Sequence, residues 1–275
     1  MAGKNIVQKI LARAAGKDAV DTGDFLNVRS NCITTIGGDG DARGIKQLDP
    51  NVKPTVFDPT KIGIVVGHAG AGGIPAIMGN SRRKTRQWAE AVGIPRENIF
   101  DLGAQGVEHV VAGEKAWALP GEVYFSVTDG HTTALGALGG FAVALSYGSA
   151  EYLVKGYTWL QVPPVARITL TGHTRPGVFS RDVYEYVLGR IGPNGTPGQV
   201  IVWDGDYVAG LDMDARFTLC ANALFSSAWT NLVAPDEVTL SYVRERTTSK
   251  FTPLHGDPDA EYAQQLSFDI SGIEP

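Results

Sequence analysis

Cysteine is scarce in this sequence. Cys32 and Cys220 are the two cysteines among 275 residues, and neither belongs to a CxxC or cysteine–histidine pattern. This excludes a disulfide framework and a zinc site that spacing alone would reveal. So few cysteines are typical of a protein from a reducing compartment, and we therefore predict a cytoplasmic location.

Long apolar runs and an excess of basic residues are also missing. The most apolar stretch covers residues 134–145 and is interrupted by glycines, whereas a membrane-spanning helix needs about 20 apolar residues. The 24 Lys and Arg are outnumbered by 29 Asp and Glu, which gives a net charge of −5. We therefore predict no membrane span and no nucleic-acid partner. The one basic cluster, at residues 82–86, is interpreted as the solvated face of a helix rather than an anion site.

The commoner catalytic signatures are absent as well. The sequence contains no GxSxG, no HExxH and no GxxxxGKS motif, so the usual hydrolase and nucleotide-binding hypotheses lose their support. The glycine-rich turn at residues 67–73 is only a weak sign of phosphate binding. Asp212 and Asp214 could form a metal pair, but acids beside the start of a helix more often interact with its dipole.

Hydrophobic patterning predicts an α/β fold with parallel sheets flanked by helices. Short apolar runs at residues 62–66 and 123–127 are typical of strands buried on both faces, and helical segments alternate with them. The pattern predicts buried helix over 134–145, helix around 216–229, and a long loop over residues 30–60. Two α/β units are expected, 1–165 and 166–275, the second with a polar and poorly ordered C-terminal tail from Thr252.

Two polar turns follow predicted strands, where parallel sheets usually bind ligands. His68 lies in the first turn, and Asp129-Gly130-His131-Thr132 forms the second. A carboxylate two residues from a histidine can hold the imidazole as an acid, a base or a ligand. Taken alone, the segment is better interpreted as a plain turn with a hydrogen-bonded histidine.

Several motifs in order make the sequence resemble the aconitase family, in particular the large subunit of isopropylmalate isomerase (3-isopropylmalate dehydratase). The motifs are Lys9-Ile10-Leu11-Ala12-Arg13-Ala14-Ala15-Gly16 with Gly23-Asp24, Gly106-Val107-Glu108-His109 with Glu114, Pro120-Gly121, Asp129-Gly130-His131-Thr132-Thr133-Ala134-Leu135-Gly136-Ala137-Leu138-Gly139, Arg216-Phe217-Thr218-Leu219, and Ala234-Pro235-Asp236-Glu237. Members of this family remove water from a di- or tricarboxylate and add it back, using a four-iron cluster. The resemblance implies that His68, His109, Asp129 and His131 are catalytic, with Asp129 and His131 forming an acid–base pair.

The sequence also departs from the family. Gly67 replaces an aspartate before the first histidine, Gly130 replaces a serine, and Asn31-Cys32 stands where a His-Asp pair is expected. In the second unit, Ala221 and Phe225 fall where the family has an asparagine and a glutamate. Residue 275 precedes the segment in which relatives have the three cluster cysteines and the substrate-binding arginines, so we expect no four-iron cluster in this chain alone.

The leading hypothesis is a cluster-independent hydro-lyase or isomerase acting on a small hydroxy carboxylate. The histidines could act as acids and bases themselves. Alternatively, His68, His109 and His131 bind one divalent metal ion. Two alternatives stay open: a non-catalytic or regulatory subunit of a larger complex, and one chain of a split iron–sulfur dehydratase. The predicted partners are a small carboxylate and either a second copy of the chain or a subunit that supplies the missing domains.

Overall fold

Helices and strands alternate along the chain in the computed structural model, which describes residues 3–37, 55–68, 75–103, 106–127, 129–145 and 147–275. The α-helices in these ranges are α1 (Ile6–Ala14), α2 (Pro75–Ala91), α3 (Glu108–Glu114), α4 (Ser149–Lys155), α5 (Ser180–Ile191), α6 (Asp206–Ala209), α7 (Met213–Ala221) and α8 (Glu237–Arg244). The strands are β1 (Phe25–Val28), β2 (Cys32–Thr35), β3 (Ile62–Val65), β4 (Ile99–Phe100), β5 (Val123–Val127), β6 (Phe141–Leu145), β7 (Thr158–Gln161), β8 (Val165–Thr171), β9 (Val200–Asp204), β10 (Thr230–Val233) and β11 (Gln264–Asp269). None of the helices in the described ranges combines the length and the hydrophobicity needed to span a bilayer.

The first sheet has five parallel strands in the order β4-β3-β2-β5-β6. Every residue of β3 and of β5 is buried, which explains why both segments are mostly apolar. After β2, the chain adds β3 and then β4 on one side of the sheet. It then adds β5 and β6 on the other side of β2. The loops after β2 and β5 therefore diverge, and such a point in a parallel sheet is a usual place for a ligand.

The second sheet, also parallel, has the order β10-β9-β8-β11, and β1 pairs with β7 in a separate antiparallel ribbon. The predicted fold class, parallel sheets flanked by helices, is confirmed. The boundary predicted near residue 165 stays a prediction. Val200 of β9 and Leu232 of β10 belong to the same apolar core as Ile33 and Phe125 of the first sheet.

The prediction of a buried helix over residues 134–145 is wrong in its second half. A 3₁₀ helix spans Gly130–Leu138 and ends at Gly139, whose φ of 73° turns the chain into β6. Short apolar runs do not distinguish a buried helix from a buried strand, and here a left-handed glycine makes the division. The 3₁₀ helix packs directly on the second sheet, because a methyl group at Gly136 would lie 1.9 Å from the carbonyl oxygen of Asn231.

Three other predictions need correction. Residues 30–60 contain β2, the central strand of the first sheet, although 38–54 lie outside the described residues, as do 69–73 of the glycine-rich turn. The helix predicted over 216–229 ends at Ala221 and is followed by β10. The C-terminal tail is not unstructured. Lys9 of α1 forms an ion pair with Asp257, Arg13 donates to the carbonyl of Thr252, and β11 completes the second sheet.

Two of the motifs behind the family resemblance meet in a buried ion pair. The guanidinium of Arg216 is fully buried and donates two hydrogen bonds of 2.6 Å to the carboxylate of Asp236. Asp236 also accepts from the backbone N–H of Thr239 and caps α8. Asp212 caps α7 by accepting from the N–H of Ala215 at 2.9 Å, which confirms that it belongs to a helix start. These acids stabilise helix termini.

Candidate active site

Three loops bring the predicted catalytic side chains together at the carboxyl end of the first sheet. His68 follows β3, Asp129 and His131 follow β5, and His109 lies in the first turn of α3. The ring centroids of His68 and His109 are 6.0 Å apart, and those of His109 and His131 are 5.1 Å apart. Because the carboxyl ends of parallel strands share one edge of the sheet, segments distant in sequence converge here.

Asp129 lies at the centre of this cluster, and its side chain is 3% exposed. One carboxylate oxygen, Oδ2, is 2.8 Å from Nδ1 of His109. The other, Oδ1, accepts a hydrogen bond of 3.0 Å from the backbone N–H of His131. Burial by itself raises the pKa of Asp129, but the hydrogen bond and charge attraction of His109, together with the hydrogen bond from the backbone N–H of His131, hold the pKa well below its usual range. Asp129 is therefore a carboxylate at neutral pH.

An ionised Asp129 fixes the tautomer of His109. A carboxylate only accepts, so Nδ1 of His109 must donate the proton in the bond between them. In the neutral ring the lone pair then lies on Nε2, and this atom has no hydrogen-bond partner among the described residues. His109 thus offers a base that a carboxylate orients from behind.

His68 has the opposite tautomer. Its Nδ1 accepts a hydrogen bond of 2.9 Å from the backbone N–H of Glu108, so a neutral His68 must hold its proton on Nε2. Burial lowers the pKa of His68, and the attraction of Asp129, whose Oδ2 is 3.9 Å from Nδ1, opposes this only in part. The site therefore contains one ring that presents a lone pair and another that presents an N–H group.

The pairing of Asp129 with the imidazole of His131 stays a prediction, and no hydrogen bond joins the two side chains in the structure. Nδ1 of His131 is 3.9 Å from Oδ1, beyond hydrogen-bond distance, and the side chain is 50% exposed. Because His131 is close in sequence, its backbone N–H group donates a hydrogen bond to the Asp129 carboxylate. The side chain that is hydrogen-bonded to Asp129 is that of His109, which lies on α3. Phe225, which stands where the resemblance expects a glutamate holding a histidine, instead packs against the guanidinium of Arg181 at 5.5 Å.

A second carboxyl group, Glu108, lies behind the cluster and was given no role from sequence. It is fully buried, and its Oε1 accepts a hydrogen bond of 2.6 Å from the hydroxyl of Tyr124 and another from the hydroxyl of Thr34. Burial raises the pKa of Glu108 to about 8, with a further contribution from neighbouring Asp129. A signal was present in the sequence, since a tyrosine inside an apolar strand needs a buried partner for its hydroxyl.

The metal-binding capacity of the cluster differs from the prediction. His68, His109 and Asp129 place one potential ligand atom each within 4.8 Å of one another, whereas the sequence favoured His131 as the third ligand. In His68 and His109 the Nδ1 atoms are already hydrogen-bonded, to the N–H of Glu108 and to Asp129. A single ion at Nδ1 of His68 would have to displace the Glu108 N–H group.

The two cysteines do not fit an iron–sulfur cluster. Cys32 starts β2 at the amino end of the sheet, opposite the histidines, and Cys220 is buried in α7. Burial raises the pKa of Cys32 to about 12, and it holds that of Cys220 higher still. Iron–sulfur clusters are held by several cysteine thiolates at one site, and two cysteines on separate elements do not provide such a site.

Comparison with known proteins adds evidence from outside the site. Residues 78–275 match the aconitase family (aconitate hydratase). The 3-isopropylmalate dehydratase large subunit of Halothermothrix orenii is 33% identical over 276 residues, covering 99% of this chain and 64% of that protein. The probable methanogen homoaconitase large subunit of Methanothermobacter thermautotrophicus is also 33% identical, over 282 residues, covering all of this chain and 64% of the relative.

These relatives are longer than the chain described here, which spans about 64% of their length. The family match nevertheless covers most of the chain and includes both the 3₁₀ helix after Asp129 and the Arg216–Asp236 ion pair. The chain therefore belongs to the aconitase family.

Proposed function

We propose that this chain provides the acid–base groups of a hydro-lyase that acts on a small hydroxy carboxylate. The observation that supports this most directly is the pair of complementary tautomers, with a lone pair on His109 and an N–H group on His68. Elimination of water needs a base at the carbon next to a carboxylate and an acid at the hydroxyl group. Two rings with centroids 6.0 Å apart can serve the two ends of one small substrate.

In the proposed reaction, Nε2 of His109 removes the proton from the carbon beside the carboxylate. The electron pair of that C–H bond forms the C=C bond, and the C–O bond breaks. The leaving hydroxide accepts a hydrogen bond from the Nε2–H group of His68 and takes a proton from solvent water. Asp129 stabilises the imidazolium that forms on His109, because its Oδ2 already accepts from Nδ1. His109 then loses its added proton to solvent, and hydration is the same sequence in reverse. His131, half exposed beside His109, is placed to contact the substrate.

The proposal does not depend on an iron–sulfur cluster held by this chain, since Cys32 and Cys220 do not fit one. Several relatives are named as large subunits, and we propose that this chain likewise works with a second chain. A partner that supplies cysteines would make the assembly a split dehydratase. A second copy of this chain would favour cluster-independent chemistry.

The test is an assay of the purified chain, alone and with any chain that copurifies, on malate-type hydroxy acids. Formation of the C=C bond is followed by ultraviolet absorbance. Replacing His109 by Gln should lower turnover by about 10²–10⁴-fold, the usual value of a general base. His173→Gln is the matched control, because His173 is exposed and outside the cluster.

Two outcomes would overturn the proposal. One is turnover that is unchanged in both His109→Gln and His68→Gln. The other is a stoichiometric divalent ion that remains through purification, is lost in His109→Gln, and is required for activity, since the cluster would then act through a metal. A chain that finds a partner but shows no turnover with it would support the regulatory-subunit alternative.

A further inference from the structure

A polar pocket of about 480 Å³ lies at the amino end of the first sheet, opposite the histidine cluster. Asn31 and Lys61, which immediately precede β2 and β3, line it together with residues that precede β4 and residues that follow α3 and α8. The helix α3 rises about 9 Å between His109 and Lys115. A ligand in this pocket therefore does not occupy the histidine cluster, and the reaction proposed above does not use it.

Three cationic side chains reach the pocket from three different elements. Lys61 ends the 3₁₀ turn Pro59–Lys61, Lys115 caps the end of α3, and Arg246 follows α8. Neither lysine has an ion-pair partner among the residues that the structure describes. Glu97 is the one acid among the described lining residues. The pocket thus gathers positive charge on a chain whose net charge is −5, and such a concave site attracts anions.

The guanidinium of Arg246 is held in place and still has donors to offer. It lies over the ring of Tyr242, with 3.5 Å between Cζ and the ring centroid, and Nη1 donates to the Tyr242 carbonyl at 3.0 Å and to Glu245 at 3.2 Å. Its Nε and Nη2 atoms have no hydrogen-bond partner in the described part of the chain. Two adjacent N–H groups of a fixed guanidinium match a pair of phosphate oxygens.

Hydrogen bonds also fix the polar walls of the pocket. The Nδ2 group of Asn98 donates to the carbonyl of Thr60 at 3.0 Å, which ties the start of β4 to the start of β3. The hydroxyl of Thr247 accepts from the backbone N–H of Ser249 at 3.1 Å and holds the turn after α8. Because these walls are formed without a ligand, less conformational entropy is lost when a ligand binds.

We propose that this pocket binds a phosphate group, either as the free ion or as part of a small phosphate monoester. Three cations and one acid leave an excess of two positive charges, and a phosphate monoester carries about −1.5 to −2 near pH 7. Its three terminal oxygens point in different directions and can accept from cations on three sides at once. A carboxylate is planar and carries a single charge, so it matches this arrangement less well.

Titration of the intact chain with inorganic phosphate, followed by calorimetry and ³¹P NMR, tests the site. We expect one saturable site per chain in a buffer of low and constant ionic strength, because salt screens exposed charges. Glycerol 3-phosphate distinguishes the two sources of the phosphate group. Tighter binding than that of inorganic phosphate assigns a monoester, and equal or weaker binding assigns the free ion. Succinate, a dianion with two carboxylates, should displace bound phosphate only weakly.

Variants locate the binding in the pocket. Arg246→Met and Lys115→Met remove cations from two different sides, and each should weaken phosphate binding by about tenfold or more, the usual value of a hydrogen bond to a charged group. Arg190→Met and Lys17→Met are the matched controls. Arg190 also lies over a tyrosine ring, that of Tyr186 at 3.9 Å, and Lys17 is exposed, but neither lines the pocket. Both controls should bind phosphate as tightly as the parent chain.

Four results would overturn the proposal. The first is the absence of saturable phosphate binding, and the second is an unchanged dissociation constant in both Arg246→Met and Lys115→Met. The third is loss of phosphate binding in His109→Gln, which would place the ion at the histidine cluster. The fourth is displacement of phosphate by an equal concentration of succinate, which would make the pocket a carboxylate site. Turnover of hydroxy acids enters none of these measurements, so this proposal and the proposed function can fail independently.

Discussion

The histidine cluster and the Arg216–Asp236 pair are both charged networks, yet they differ in how completely their polar atoms are used. Arg216 is fully buried and donates to Asp236, to Thr239 and to the backbone carbonyls of Leu211 and Ala209. In the cluster, Asp129 is equally buried, but the histidines around it are 20% to 50% exposed and keep ring nitrogens free of described partners. A network whose polar atoms all have hydrogen-bond partners stabilises a fold. A network with unpartnered polar atoms facing a cleft can instead bind a ligand or transfer protons.

The largest expected effect tests the cluster through Asp129→Asn. The amide would donate to Nδ1 of His109 instead of accepting from it, so the ring would switch tautomer and lose its free lone pair. We expect kcat/KM to fall by about 10²–10⁴-fold, with circular dichroism showing the same fold. Asp18→Asn is the control. If Asp129→Asn keeps full activity, the histidine cluster does not act through Asp129, and it no longer differs in role from the Arg216–Asp236 pair.

The next effect tests the buried ion pair through Asp236→Ala. This change leaves the guanidinium of Arg216 buried without its anion and removes the cap of α8. The free energy of unfolding in urea should fall by about 3 kcal/mol, the lower end for breaking a buried pair, because the Asp236 side chain is 41% exposed. Arg216→Met combined with Asp236→Leu should recover part of this loss. Equal stability of Asp236→Ala and the parent chain would contradict a structural role.

A smaller effect tests the segment that joins the two networks. Gly136 lies in the 3₁₀ helix after Asp129, and an added methyl group would press on the carbonyl of Asn231 at 1.9 Å. Gly136→Ala should lower the free energy of unfolding by roughly 2 kcal/mol. The matched control is Gly189→Ala in α5, where a methyl group meets nothing within 4 Å and should stabilise the helix by up to about 1 kcal/mol. If both substitutions change the free energy of unfolding in the same direction, the close contact at Gly136 does not determine the stability of the variant.

The smallest effect concerns Glu108 and the way in which the free energy of unfolding depends on pH. Its pKa rises from 4.5 to about 8 on folding, so the folded state binds more protons than the unfolded state between these values. Stability contributed by Glu108 is therefore complete below pH 4.5 and is lost as the pH rises through 8. Glu108→Gln should flatten the decline of the unfolding free energy between pH 6.5 and 8. An identical slope in the variant would show that this carboxyl does not titrate in that window.

The sequence predicted the positions of the loops that form the histidine cluster but not the contacts between them. His68 and Asp129 follow strands that are buried throughout and mostly apolar, and such runs that end in polar turns mark the carboxyl edge of a parallel sheet. The partner of Asp129 could not be predicted in this way. His131, two residues away, forms a hydrogen bond to Asp129 only through its backbone N–H group, while His109, twenty residues away, forms the side-chain hydrogen bond.

The sequence by itself determined the fold class, the alternation of strands and helices, and the family, because these follow from local hydrophobic period and ordered motifs. Tertiary structure alone decided the opposite tautomers of His68 and His109 and the burial of Glu108. Each of these depends on distances between segments far apart in the chain. Local sequence does not encode which N–H group or carboxylate reaches a given ring nitrogen, and that choice sets which atom holds the proton.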